Sequence, residues 1–242
     1  MGSSITQKNI VLDIEGTVCP ISYVKDVMFP YFLSELPSVL HRSFSSSPPP
    51  DLQPYIDDFA PSVRTSFESL YAHIKELTLT DQKVSELKAL QGYVFRQGFK
   101  SGVLKTPLFP DVYEAFRLWT VQATSPAERK NLYIYSSGSV DAQILFFSHT
   151  ERGDLTRVIQ GYYDTVTAGM KFEPDSYSKI ADSIELDGDR SNILFLSDNV
   201  REVEAAKEAG LEAFIVDRPG NAKLTDEDKE YHRVVTDFTQ LL

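Results

Sequence analysis

Short apolar runs alternate along the chain with longer stretches in which apolar residues recur every three or four positions. The runs at residues 10–14, 132–135, 193–196, 213–216 and 234–238 have the length and largely apolar character of parallel strands buried on both faces. Between them, Val112, Ala115, Phe116 and Trp119 follow helical spacing, as do Tyr177, Ile180, Ala181 and Ile184, with Pro174 near the helix start. The stretch 200–209 closes on Gly210, a good residue to end a helix. Strand and helix in alternation predict an α/β, Rossmann-like, doubly wound parallel sheet.

The second strand arrives late. Asp13 and Ser136 are 123 positions apart, far more than one crossover needs. The interval is helical in pattern: Val63, Phe67, Leu70, Ile74 and Leu77 form one stripe, and Val84, Leu87, Leu90 and Val94 another. A Ser/Pro run at 45–50 reads as a loop. The expected organisation is a core of residues 1–21 and 106–242, with a small helical cap at 22–105 inserted after the first strand.

Composition narrows this little but usefully. With 242 residues, 42% hydrophobic and 24% charged, the chain can build its core by burial alone. The lone Cys19 and a polar start without an apolar leader suit a soluble intracellular protein, cytoplasmic and compatible with the nucleus. A net charge of -11 argues against nucleic acid and anionic membranes as partners. It does not exclude an anionic substrate, because one divalent cation can dominate a cleft.

Four places carry candidate chemistry. Asp13 and Glu15 stand two apart at the end of the first strand, with Gly16 allowing a tight turn. Ser136 and Ser137 follow the second strand, where hydroxyls and turn amides can meet an anion or simply cap the helix starting at Val140. Lys171 is a compact cation suited to a phosphate oxygen. Asp198 ends another apolar run; it either ligates a hard cation or caps the helix near Val200. His41, His73, His149 and His232 show no zinc-like spacing.

The order acid pair, hydroxyl, lysine, late acid resembles the haloacid dehalogenase-like (HAD) hydrolases. That resemblance implies Asp13 as nucleophile on phosphorus and Glu15 as general acid and base. It implies Ser136, the Ser137 amide and Lys171 as the phosphoryl cradle, and one Mg2+ per chain at Asp13, the Glu15 carbonyl and Asp198. A narrower resemblance rests on residues 13–21, 90–94, 134–140 and 194–199, and on Arg218, Pro219, Gly220 and Asn221. These are similar to the enolase-phosphatase (acireductone synthase) family of methionine salvage. The implied substrate is the small phosphorylated diketone 2,3-diketo-5-methylthiopentyl-1-phosphate, and the implied state a monomer. Glu15 stands where the wider superfamily carries Asp. Glu15 or a residue of the insert is the candidate base for enolisation, and Gln91, Tyr93 and Arg96 are candidate pocket residues from the insert. Two other readings stay open: a HAD phosphatase for another small phosphomonoester, and a non-catalytic phospholigand-binding protein.

Overall fold

A computed structural model describes residues 5–126, 128–184 and 188–242. Six parallel strands form one sheet: β1 (Asn9–Leu12), β2 (Asn131–Tyr135), β3 (Ile159–Tyr163), β4 (Ile193–Ser197), β5 (Glu212–Val216) and β6 (Val234–Val235). Their spatial order is β3-β2-β1-β4-β5-β6, so β1 lies between β2 and β4, where the winding reverses. Leu12 pairs with Ile134 on one side and Leu196 on the other. The strand ends of β2, β1 and β4 are thereby level along one edge.

Four of the five expected strands hold their places, with β1 ending at Leu12 so that Asp13 and Ile14 begin the following turn. The expected 234–238 strand is only the pair Val234–Val235, followed by a short helical turn at Phe238–Leu241. The strand β3 was not anticipated. It is an edge strand containing Gly161, with only Ile159 buried, so it lacks the apolar run that marks the others.

Helices cover both faces. Val11, Phe195 and Ile215 pack with Tyr177, Ile180 and Ala181 of α7 (Pro174–Ile184) and Val203 and Ala206 of α8 (Val200–Glu208). The strand period of two sends Ile10 and Leu12, both fully buried, to the opposite face. Aromatic pairs there include Phe116 of α5 (Pro110–Phe116) with Phe147 of α6 (Val140–Ser148), and Trp119 with Phe238. Arg218 is buried between the rings of Phe109 and Phe238 and paired to Asp111 at 2.7 Å, a charge held where only a partner makes burial tolerable.

The chain divides into two compact units, residues 1–22 with 105–242, and residues 23–104. The second is helical: α1 (Phe29–Ser43), α2 (Gln53–Asp57), α3 (Phe67–Leu79) and α4 (Ser85–Lys100). Its own core contains Phe32, Leu36, Leu52, Phe59, Ile74 and Leu90. Ser66 starts α3 by accepting from the Ser69 amide, so Val63 of the expected stripe lies outside that helix. In α4, a Cβ on Gly98 would stand 2.6 Å from the Tyr31 ring, so glycine lets α1 and α4 approach. Among the described residues, no helix is long and apolar enough to cross a membrane.

Candidate active site at the carboxyl edge of the sheet

Asp13 leaves β1 with its amide still bonded to the Leu196 carbonyl at 2.9 Å, which holds it level with the end of β4. The chain then turns through Gly16, whose φ of 75° favours glycine. The amides of Thr17, Val18 and Cys19 all point to the Ile14 carbonyl. Thr17 is fully buried, and its hydroxyl accepts from the Asp198 amide at 3.1 Å. The acid-bearing ends of β1 and β4 are thus tied directly.

The helix caps fall to neighbouring residues rather than to the candidate site groups. Asn199, not Asp198, caps α8 by accepting from the Arg201 amide at 3.1 Å. Ser139, not Ser136 or Ser137, caps α6 by accepting from Ala142. Ser136 is buried at the end of β2, and Ser137 is exposed beside it.

Lys171 reaches the acids from the loop after β3. Its Nζ is bonded to Asp13 Oδ1 at 2.5 Å and to Glu202 Oε2 at 2.7 Å. Two tyrosines brace its segment: Tyr135 donates to the Gly169 carbonyl and Tyr177 to the Lys171 carbonyl, each at 2.7 Å. Burial works against the ammonium charge, but Asp13 and Glu202 more than reverse that and hold its pKa well up.

Glu202 was not singled out in the sequence. It sits in the first turn of α8, four residues after Asp198, and looks there like an ordinary acid favouring a helix start. In the fold it is buried and accepts from Ser197 Oγ at 2.8 Å as well as from Lys171. Burial, then the Asp13 charge, push Glu202 up to about 6 despite Lys171. Burial and the charges of Asp13 and Glu202 likewise push Asp198 up to about 7. Three carboxylates face one ammonium, and that surplus of negative charge is what a bound cation would neutralise.

Among the described residues, no three His, Cys, Asp or Glu side chains group as a metal site. The expected set needs only two carboxylates, from Asp13 and Asp198, with the main-chain oxygen of Glu15. Such an all-oxygen set with room for waters suits a hard divalent ion rather than zinc. In the helical unit, Tyr93 is buried and donates to Asp51 at 3.2 Å, Gln91 is buried, and Arg96 is exposed.

Two further residues hold the hydroxyl loop. Gln143 donates to the carbonyls of Gly138 and Tyr163, at 2.7 and 2.8 Å. Asp164, just past β3, accepts from the amides of Val140, Val166 and Thr167 and from the Thr167 hydroxyl, at 2.8–3.0 Å. Burial opposes the charge of Asp164, but those donors outweigh it and hold the carboxyl below its usual range. A depressed carboxyl contributes stability that is fully present above the unfolded value, about 3.9, and is lost as pH falls through the folded value. Asp164→Ala is therefore expected to lower stability by about 1–3 kcal/mol near neutral pH, since it strands several donors. Denaturant melts should show the gap to wild type narrowing as pH falls below the ordinary carboxyl range; a gap unchanged between neutral and acid pH would remove the carboxylate from this role.

The strand order and the acid, hydroxyl and lysine cluster at its carboxyl edge define a Rossmann-type HAD hydrolase. YfnB from Bacillus subtilis, a HAD-hydrolase crystallised bound to magnesium, shares that fold with a TM-score of 0.58 at 10% identity, over 98% of this chain and 97% of that one. The UTR4 protein of Saccharomyces cerevisiae is similar at 36% identity and a TM-score of 0.80, over 96% and 98% of the two chains. Enolase-phosphatase E1 of Podospora anserina is 47% identical over the full length of both chains. The chain belongs to the enolase-phosphatase E1 family. No protein-family model matches it.

Proposed function

We propose that the chain converts 2,3-diketo-5-methylthiopentyl-1-phosphate to the acireductone 1,2-dihydroxy-3-keto-5-methylthiopentene and phosphate, in methionine salvage. Family membership supports the enolase and phosphatase activities. The observation that carries the chemistry is the buried Lys171 ammonium bonded at once to Asp13 and Glu202 at the sheet edge.

Asp13 is the nucleophile. Its carboxylate oxygen attacks phosphorus while the bond to the substrate oxygen breaks, giving an aspartyl-phosphate. Glu15 protonates the departing oxygen and then takes a proton from the water that cleaves the intermediate. Lys171, the Ser136 hydroxyl and the Ser137 amide hold the phosphoryl oxygens. Glu202 gives Lys171 a second anchor, so the ammonium stays in place when the Asp13 charge is consumed. Asp13, Asp198 and the Glu15 carbonyl would hold one magnesium ion per chain, which would supply positive charge to offset that of the phosphoryl group. For enolisation, Glu15 or a residue of the helical insert takes the proton next to the carbonyl. All these groups come from one chain, so the proposed steps need no residue from a second copy.

The test is incubation of purified protein with the diketone phosphate and magnesium, following inorganic phosphate and the enol absorbance together. Both signals are expected, both lost in excess chelator and restored by magnesium. Faster turnover of common sugar phosphates, or undiminished turnover in chelator, would overturn the reading.

A further inference from the structure

Asn221 belongs to the turn after β5, one of the stretches noted in the sequence but given no role in the reaction. Its side-chain Nδ2 donates to the main-chain oxygens of Gly16, at 2.9 Å, and Val216, at 3.2 Å. Two carbonyl acceptors can be served only by the NH2 end, so the amide has one sensible orientation. The other end, Oδ1, is buried and has no hydrogen-bond partner among the described residues. Native proteins rarely keep a buried acceptor without a donor.

The position of that oxygen is informative. A Cβ built on Gly16 would stand 2.9 Å from Asn221 Oδ1 and 2.6 Å from Asp198 Oδ2. The two oxygens share the bare flank of Gly16. Both are acceptors, and neighbouring acceptors repel unless something positive or a donor lies between or beside them. A hard cation on Asp198 would bring both, because magnesium keeps several bound waters whose hydrogens need acceptors.

We propose that Asn221 Oδ1 accepts a hydrogen bond from a water bound to the cation at Asp198, an inference that rests on the magnesium reading above. Asn221 is then a positioning residue with two ends. Nδ2 holds the Gly16 carbonyl, next to the Glu15 carbonyl that takes the same ion. Oδ1 holds the outer hydration of that ion.

Two substitutions separate the ends. Asn221→Ala removes both. Asn221→Asp keeps an acceptor and adds negative charge beside the ion, but loses the donor to Gly16 and Val216. Magnesium chloride is titrated calorimetrically into the metal-free wild type and each variant, and metal-free melting temperatures are recorded. Asn221→Ala is expected to raise the magnesium Kd about tenfold, and Asn221→Asp to bind no more weakly than wild type. Asn221→Ser, smaller than Asn but able to donate, is run alongside in case the alanine variant does not fold, and is also expected to bind magnesium more weakly. The inference fails if the alanine and serine variants bind magnesium as tightly as wild type with only a lower melting temperature. It fails equally if Asn221→Asp binds as weakly as Asn221→Ala, since the tie to the turn is then the whole role. A wild type that takes up no magnesium overturns the metal reading itself, and the inference with it.

Discussion

Replacing Asp13 by Asn is expected to cut phosphate release by at least about a thousandfold, roughly 4 kcal/mol of transition-state stabilisation, while the protein stays folded. The amide is nearly isosteric but is not a nucleophile. The fold does not depend on this charge. The backbone bond from Asp13 to Leu196 is untouched, and Lys171 keeps Glu202 at 2.7 Å. The charge of Asp13 also pushes both Asp198 and Glu202 upward, so neutralising it relieves repulsion in the metal-free site. Phosphate assays with circular dichroism on the same sample check both halves. Release at the wild-type rate would show that another group attacks phosphorus.

Lys171→Met is expected to damage stability as well as turnover. Methionine fills much of the same space but leaves Asp13 and Glu202, both buried, without the cation that separates them. Removing one member of a buried charge cluster costs about 3–5 kcal/mol, and losing a phosphoryl-binding cation should cost at least about a hundredfold in turnover. The sign of the pH dependence follows from Glu202 and Asp198, held up at about 6 and 7. Carboxyls raised in the fold cost stability once ionised, so the cost begins above the unfolded value near 4 and is complete above the folded one. Without Lys171 these carboxyls are held higher still, so the variant goes on losing stability where the wild-type cost is already complete, and its deficit should grow as pH rises above about 6 to 7 in metal-free buffer. Urea melts across that range test it. A variant as stable as wild type at the alkaline end would show that Lys171 does not balance these acids.

What could be read along the chain follows from how locally each signal is encoded. The central strands β1, β2, β4 and β5 are buried on both faces, so their hydrophobicity is continuous and conspicuous. The edge strand β3 was missed because an edge position tolerates Gly161 and partly exposed residues, which erases the run. Asp13, Ser136 and Asp198 stand out in the sequence as candidates because each follows an apolar run. Glu202 and Asp164 were not, since one resembles a helix-start acid and the other a turn residue.

The sequence by itself determined the strand–helix alternation, the helical insertion after β1 and which strand ends bear acids and hydroxyls, because those depend on the periodicity of neighbouring residues. Tertiary structure alone decided that β1 lies between β2 and β4, that Lys171 crosses 158 positions to reach Asp13, and that Asn199 and Ser139, rather than Asp198 and Ser136, take the caps. Pairing order and long-range charge contacts depend on which surfaces meet after folding, and no local pattern encodes that meeting.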